Sequence, residues 1–112
     1  CLESICSQTH RELEIICLND GSKDGSLAIL REFETRDPRV IVVDKPNEGY
    51  GATCNRGLEM AHGAWVSVIE PDDWIDSAMY ERMLARAIGT TRTCSTSSSA
   101  FWRTACPTPR AP

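Results

Sequence analysis

Three carboxylates fall within four residues at Glu70-Pro71-Asp72-Asp73. Charges packed this closely repel one another unless something positive lies between them. A hard divalent cation with oxygen ligands relieves the repulsion, and Mg²⁺ characteristically takes one or two carboxylates together with substrate phosphates. The same residues also read as a plain acidic turn between a strand and a helix, with Asp76 capping the helix. Two more stretches concentrate polar, turn-forming side chains. One is Asn19-Asp20-Gly21-Ser22-Lys23-Asp24-Gly25; the other is Lys45-Pro46-Asn47-Glu48-Gly49-Tyr50-Gly51.

Each of the three follows a short apolar run, and those runs are what must hold them in place. Residues 13–18 (LEIICL), 40–43 (VIVV) and 65–69 (WVSVI) read as buried strands. Pro71 cannot donate to a ladder, so the last of them stops there. Helices are expected between. Residues 2–7 resemble the tail of one. Ser26–Arg36 places Leu27, Leu30 and Phe33 on one side with Ile29 beside them, offers Asp24 or Ser22 as cap, and ends at Asp37-Pro38. Residues 52–61 form a second helix, with Gly63 as the glycine that ends it. Residues 77–88 form a third, with Met79, Met83 and Ala87 at i, i+4 and i+8.

Strands alternating with helices imply a parallel sheet joined by right-handed crossovers. In such sheets ligands bind outside the carboxyl ends of the strands. The expected fold is therefore an α/β parallel β-α-β-α-β sheet of three strands with flanking helices. Asp20, the 47–51 loop and Asp72 should share one edge of it. Among the remaining polar and aromatic residues, Trp74 and Tyr80 read as core and Lys45 as solvated. His62 reads as a favourable charge at a helix end, and Tyr50 either lines a pocket or packs on its loop.

Composition narrows the classes. At 112 residues the chain is one modest domain or part of one, and its net charge of −4 argues against nucleic acid as the main partner. No apolar run approaches the roughly 18 residues that span a bilayer. The sequence begins without Met, inside what reads as a helix. Six cysteines lie at irregular spacing, without a zinc pattern or a disulfide framework, and Cys17 reads as a small core residue. Residues 89–112 contain no Asp or Glu, are rich in Ser, Thr and Pro, and show no period. They read as an irregular or disordered tail, or as a translated frameshift, distinct from a domain at 1–88.

With the acidic loops placed, the chain resembles the nucleotide-binding half of a family 2 glycosyltransferase. The matching residues are 15–26 (IICLNDGSKDGS), Asn47-Glu48-Gly49-Tyr50-Gly51, Asn55-Arg56-Gly57-Leu58, Gly63, and Glu70-Pro71-Asp72-Asp73-Trp74. That family's pattern is a strand ending in D-D-G-S-x-D, a Gly-rich loop leading to A-R-N-x-G, and a strand ending in D-x-D-D. Any one of these motifs is weak; four in order at matching spacing are strong. The resemblance spans about residues 2–88.

The resemblance implies a Rossmann-like glycosyltransferase A-type fold, present here as a partial domain. It implies transfer of a sugar from a nucleotide diphosphate sugar, UDP-linked, to a saccharide or lipid-linked acceptor hydroxyl, with inversion and with Mg²⁺ or Mn²⁺. Asp20 is similar to the residue that contacts the nucleobase. Asn19, Gly49, Asn55 and Glu70 fall with it on the nucleotide side, and Asp72 and Asp73 fall at the metal. The sequence departs from the pattern at Asn19 and at Glu70, each standing where the family has Asp, and at Cys54, which stands where it has Arg. Arg56 is either a substitute or a surface arginine.

The general base is expected beyond residue 88, so the chain alone is expected to be inactive. A cytoplasmic site of action at the inner face of a membrane is also expected. Two rival readings are a Mg²⁺-dependent phosphatase or nucleotidyltransferase, and a non-catalytic sugar-nucleotide-binding remnant. No nucleophilic D-x-D follows the first strand and no Walker loop appears, which argues against the first.

Overall fold

The computed structural model describes residues 1–90 and 102–107. Helices and strands alternate as α1 (Leu2–Cys6), β1 (Leu13–Asp20), α2 (Ser26–Arg36), β2 (Val40–Lys45), α3 (Tyr50–Met60), β3 (Trp65–Val68), α4 (Met79–Thr90) and β4 (Trp102–Pro107). The strands form one sheet in the order β2-β1-β4-β3, and every pair is parallel. Asp20 is level with Lys45, and Val68 is level with Ile16 through Ala105. The three strands read from sequence therefore run the same way, with β3 stopping four residues short of the level of Asp20. The sheet has four strands among the described residues where three were expected.

β1 is the axis of this sheet. Seven of its eight residues are buried, which is what a central parallel strand requires when helices cover both faces. Leu13, Ile15 and Cys17 turn to one side, where they meet Ile5, Leu30, Val40, Val42, Ile69, Ile75 and Tyr80, with Leu27, Phe33, Met79 and Leu84 packed against them. Ile16 and Leu18 turn to the other, toward Val43, Met60 and Ala61. Thus α1, α2 and α4 cover one face and α3 the other. Burial of Cys17 drives its thiol pKa up to about 12. Cys1, Cys6, Cys17 and Cys54 are free thiols.

Several expectations are corrected. Residues 102–107 are not an irregular tail: they form β4, inserted between β1 and β3. An isolated run of six residues carries no readable period, and a strand paired on both edges draws its stability from its neighbours more than from its own pattern. Phe101 and the rest of the expected tail beyond Thr90 lie outside the described residues. α3 ends at Met60 with Ala61 extended, so Gly63 is not the residue that terminates it. In α4 the inward positions are Met79, Tyr80 and Leu84, while Met83 is exposed, because the buried stripe runs one residue off the period read. Tyr80 is buried as expected. Trp74 is not core: it is 74% exposed, and its neighbour Ile75 turns inward instead.

Two polar hubs fasten the helical face. The Gln8 side chain is fully buried and donates to the carbonyls of Ser4 (3.0 Å) and Asp76 (2.6 Å), while its amide oxygen accepts from the Tyr80 N–H (3.2 Å). It thereby pins the segment after β3 to α1. The Arg39 guanidinium binds both Asp37 oxygens and the carbonyls of Cys6 (2.9 Å) and Arg11 (3.2 Å). Hydrogen bonding from Arg39 outweighs burial and holds the Asp37 carboxyl down at about 2.

Replacing Gln8 with Ala removes three hydrogen bonds made by a fully buried side chain, so Gln8→Ala should cost about 2–4 kcal/mol in urea unfolding. A depressed carboxyl pKa adds stability above the ordinary value near 3.8 that is lost as pH falls through the folded value. Stability should therefore decline between about pH 4 and 2, and Asp37→Asn should flatten that part of the profile.

Candidate functional site

The chain steps from β1 outward to β2, then crosses back past β1 to reach β3 on the far side. The order reverses beside β1, and in open α/β sheets the crevice at such a reversal is where ligands sit. Three loops meet there, and side chains tie them together.

Asp20 is the last residue of β1 and is 7% exposed. Its Oδ1 accepts from Lys45 Nζ at 2.5 Å and from the Glu48 N–H at 2.9 Å. Lys45 also reaches Glu48 at 3.2 Å, and its side chain is only 9% exposed. The solvated reading of Lys45 is thus wrong. It ends β2 directly opposite a buried carboxylate, and charge pairing draws it in. Burial alone would raise the Asp20 pKa. Donation from Lys45, the Glu48 N–H and the Thr53 hydroxyl outweighs it, so the carboxyl titrates below its ordinary range.

Asn19 is buried as well. Its amide donates to Asp44 at 2.7 Å, and its oxygen accepts from the Ser22 hydroxyl and N–H. In this structure it shapes the turn that follows β1. That turn passes through Gly21 at φ +70, where an added Cβ would lie 2.8 Å from the Asn47 nitrogen. Only glycine lets the two loops come so close. Gly49 sits at φ +92 immediately before α3, and its carbonyl accepts from the Thr53 N–H (3.1 Å) and hydroxyl (2.8 Å). Asp24 accepts from the Ser26 N–H at 2.9 Å and so steadies the entry to α2, but the N-cap itself is Gly25, not Asp24 or Ser22 as expected. Asp76 accepts from the Ala78 N–H at 3.0 Å in the same manner.

Glu70 follows β3 and is half-buried, and its carboxylate accepts from the Tyr50 hydroxyl. Its carbonyl accepts from the Asp73 N–H at 3.0 Å and from the Cys1 thiol at 3.3 Å. Asp72 and Asp73 are exposed and have no cationic partner among the described residues. No group of three or more His, Cys, Asp or Glu side chains among the described residues is arranged to hold a metal ion. Two neighbouring carboxylates without a cation are nonetheless the donor set that Mg²⁺ uses when a diphosphate supplies the rest.

The fold thus brings Asp20, Asn19, Gly49 and Glu70 into one hydrogen-bonded edge, with Asp72 and Asp73 beside it. Asn55 is not joined to it. It is exposed on α3 and makes no hydrogen bond to Asp20 or Glu70. Arg56 is exposed too, and His62 pairs with Glu14 at 3.2 Å. Lys45 and Thr53 were missed by sequence reasoning. The Lys45 signal was the strand register, which a single sequence does not display.

The model of the family described as glycosyl transferase family 2 matches residues 1–103. The chain belongs to that family. It is 44% identical over 87 residues to EpsH of Bacillus subtilis (strain 168), covering 78% of this chain and 25% of that protein. The glycosyltransferase GlyA of Streptococcus pneumoniae serotype 4 is 36% identical over 88 residues, covering 79% of this chain and 13% of GlyA. A chondroitin synthase of Pasteurella multocida (strain Pm70) is 31% identical over 84 residues, covering 75% of this chain and 9% of the synthase. The chain spans a quarter or less of the length of these relatives. No solved structure matches it significantly. Among the described residues no helix is long and apolar enough to cross a membrane.

Removing the Lys45 ammonium would strand a buried carboxylate in this family 2 domain. Lys45→Met should cost about 3–5 kcal/mol near pH 7. The penalty should shrink as pH falls and Asp20 takes up a proton. Urea unfolding of both proteins across pH would measure it.

Proposed function

We propose that this chain is the donor-binding half of a glycosyltransferase A-type domain, Rossmann-like in fold, that takes part in moving a sugar from a nucleotide diphosphate sugar to an acceptor hydroxyl. The observation that carries this reading is the joining of the three carboxyl-edge loops around Asp20 and Glu70, with two exposed carboxylates alongside. In this reading Asp20 accepts from the nucleobase of a UDP-linked donor. Lys45 and Thr53 keep that carboxylate ionised and fixed. Asn19 and Gly49 set the backbone of the loops that line the nucleotide, and Glu70 faces the ribose.

Asp72 and Asp73 would hold Mg²⁺ or Mn²⁺, which when bound supplies positive charge to the departing diphosphate. The residues themselves offer exposed oxygen donors at a turn whose backbone is fixed by the Glu70 carbonyl. The base that takes the acceptor's proton is proposed to come from outside the stretch shared with the relatives. Synthase relatives support a saccharide acceptor, within polysaccharide or glycoconjugate synthesis. Inversion at the sugar, a lipid-linked alternative acceptor, and action at the inner face of a membrane belong to the same proposal.

Calorimetric titration with UDP, at zero and saturating Mn²⁺, tests it. Asp72→Asn keeps the shape and removes one charge, so metal-dependent binding should weaken by about 2–4 kcal/mol, comparable to losing one preorganised electrostatic contact. Asp20→Asn should weaken binding with or without the metal, since its proposed partner is the base. Unchanged metal dependence in Asp72→Asn would sink the metal assignment.

A further inference from the structure

We propose that Tyr50 is a positioning residue, whose hydroxyl holds the Glu70 carboxylate in orientation across the mouth of the nucleotide site. This inference deepens the donor-binding reading and rests on it. Tyr50 is the first residue of α3 and Glu70 lies just past β3, so the bond spans the gap between the second and third loops.

Both ends of the bridge are anchored. The Glu70 backbone is held through its carbonyl by the Asp73 N–H and the Cys1 thiol. What is left to set is the direction of the side chain, and Tyr50 sets it. The start of α3 is fixed in turn by Gly49 at φ +92 and by the two Thr53 donors on its carbonyl. Tyr50 is 56% exposed and belongs to neither apolar cluster, so burial does not account for its position. The hydrogen bond to Glu70 raises the phenol pKa above its ordinary value of 10, with Cys54 one helical turn on contributing next. The hydroxyl therefore remains a donor throughout the neutral range.

Side-chain length matters here. Glu extends one methylene beyond Asp, and that methylene carries the carboxylate across to the phenol. With Asp at position 70 the same backbone would leave the hydroxyl without its partner. The interaction therefore predicts an interdependence between positions 50 and 70 that a general loosening of the fold would not produce.

The test uses the full chain and four proteins: wild type, Tyr50→Phe, Glu70→Asp, and the double variant. UDP binding is titrated at saturating Mn²⁺. Loss of one exposed hydrogen bond, at the ordinary net value of such a bond, should make Tyr50→Phe bind about five- to tenfold more weakly. The double variant should bind no more weakly than Glu70→Asp alone, since the bond is already gone. Urea unfolding midpoints should be unchanged by Tyr50→Phe. In a second measurement, the phenol ionisation of Tyr50 is followed by NMR of the labelled ring carbon in the free protein. It should fall toward its ordinary value in Glu70→Ala.

Additive losses in a protein that binds UDP would overturn the positioning role and leave the donor-binding reading intact. A Tyr50 titration that ignores Glu70→Ala would overturn the bridge itself. If wild type shows no Mn²⁺-dependent UDP binding while the titration does respond, the donor-binding reading fails. The positioning role then falls with it, and the bridge is only a structural contact.

Discussion

The carboxylate of Asp20 organises this end of the molecule. A charge buried at the tip of the central strand is costly unless its lone pairs are filled. The donors that fill them come from the end of β2, the loop behind it and the first turn of α3. One ionised group thus gathers three separate segments. Because hydrogen bonds to charged groups are strong and directional, the gathered segments have little freedom to drift. The edge is preorganised by electrostatics, on a sheet whose position is decided by apolar packing.

That division explains which parts could be read from sequence. Apolar runs bounded by turn formers announced β1, β2 and β3; β1 is buried on both faces, while β2 and β3 leave side chains exposed yet still apolar at Ile41, Val66 and Val68. The placing of Asp20, Gly49 and Asp72 toward one edge was legible for a different reason, since each stands at or past the end of a parallel strand running the same way. Lys45 was not legible. A lysine after a strand is ordinarily solvated, and only the pairing of Asp20 with Lys45 in register reveals that it is enclosed. Gln8 escaped for the same reason, because two of its three partners, the Asp76 carbonyl and the Tyr80 N–H, lie far from it in sequence. Trp74 shows the converse failure. Size and hydrophobicity argued for the core, but a turn fixed by hydrogen bonds decided which of two neighbours faced inward.

The departures at Asn19 and Glu70 look different once their partners are known. Asn19 has two chemically distinct ends, and both are used, the amide toward Asp44 and the oxygen toward Ser22. An Asp there would offer no donor and would place a further negative charge beside Asp44 and Asp20. Glu70 is longer than the residue it stands for, and the added length meets a partner on another loop. Each change is matched by a neighbour.

The position of β4 carries a consequence for how the domain comes together. Among the described residues β3 pairs with the sheet only through β4, which is the last of the described strands and occupies the slot between β1 and β3. While the polypeptide is being made, β1 and β2 can pair early, but β3 must wait with one edge open until residues 102–107 have left the ribosome. The two valines of β3, already 41% and 42% exposed in the finished sheet, stand bare during that interval. An unpaired strand of this kind is a template for association with other chains. Late closure over long sequence separation is also slow. The joining of β3 to the described sheet, and its escape from aggregation, is therefore timed by residues 102–107.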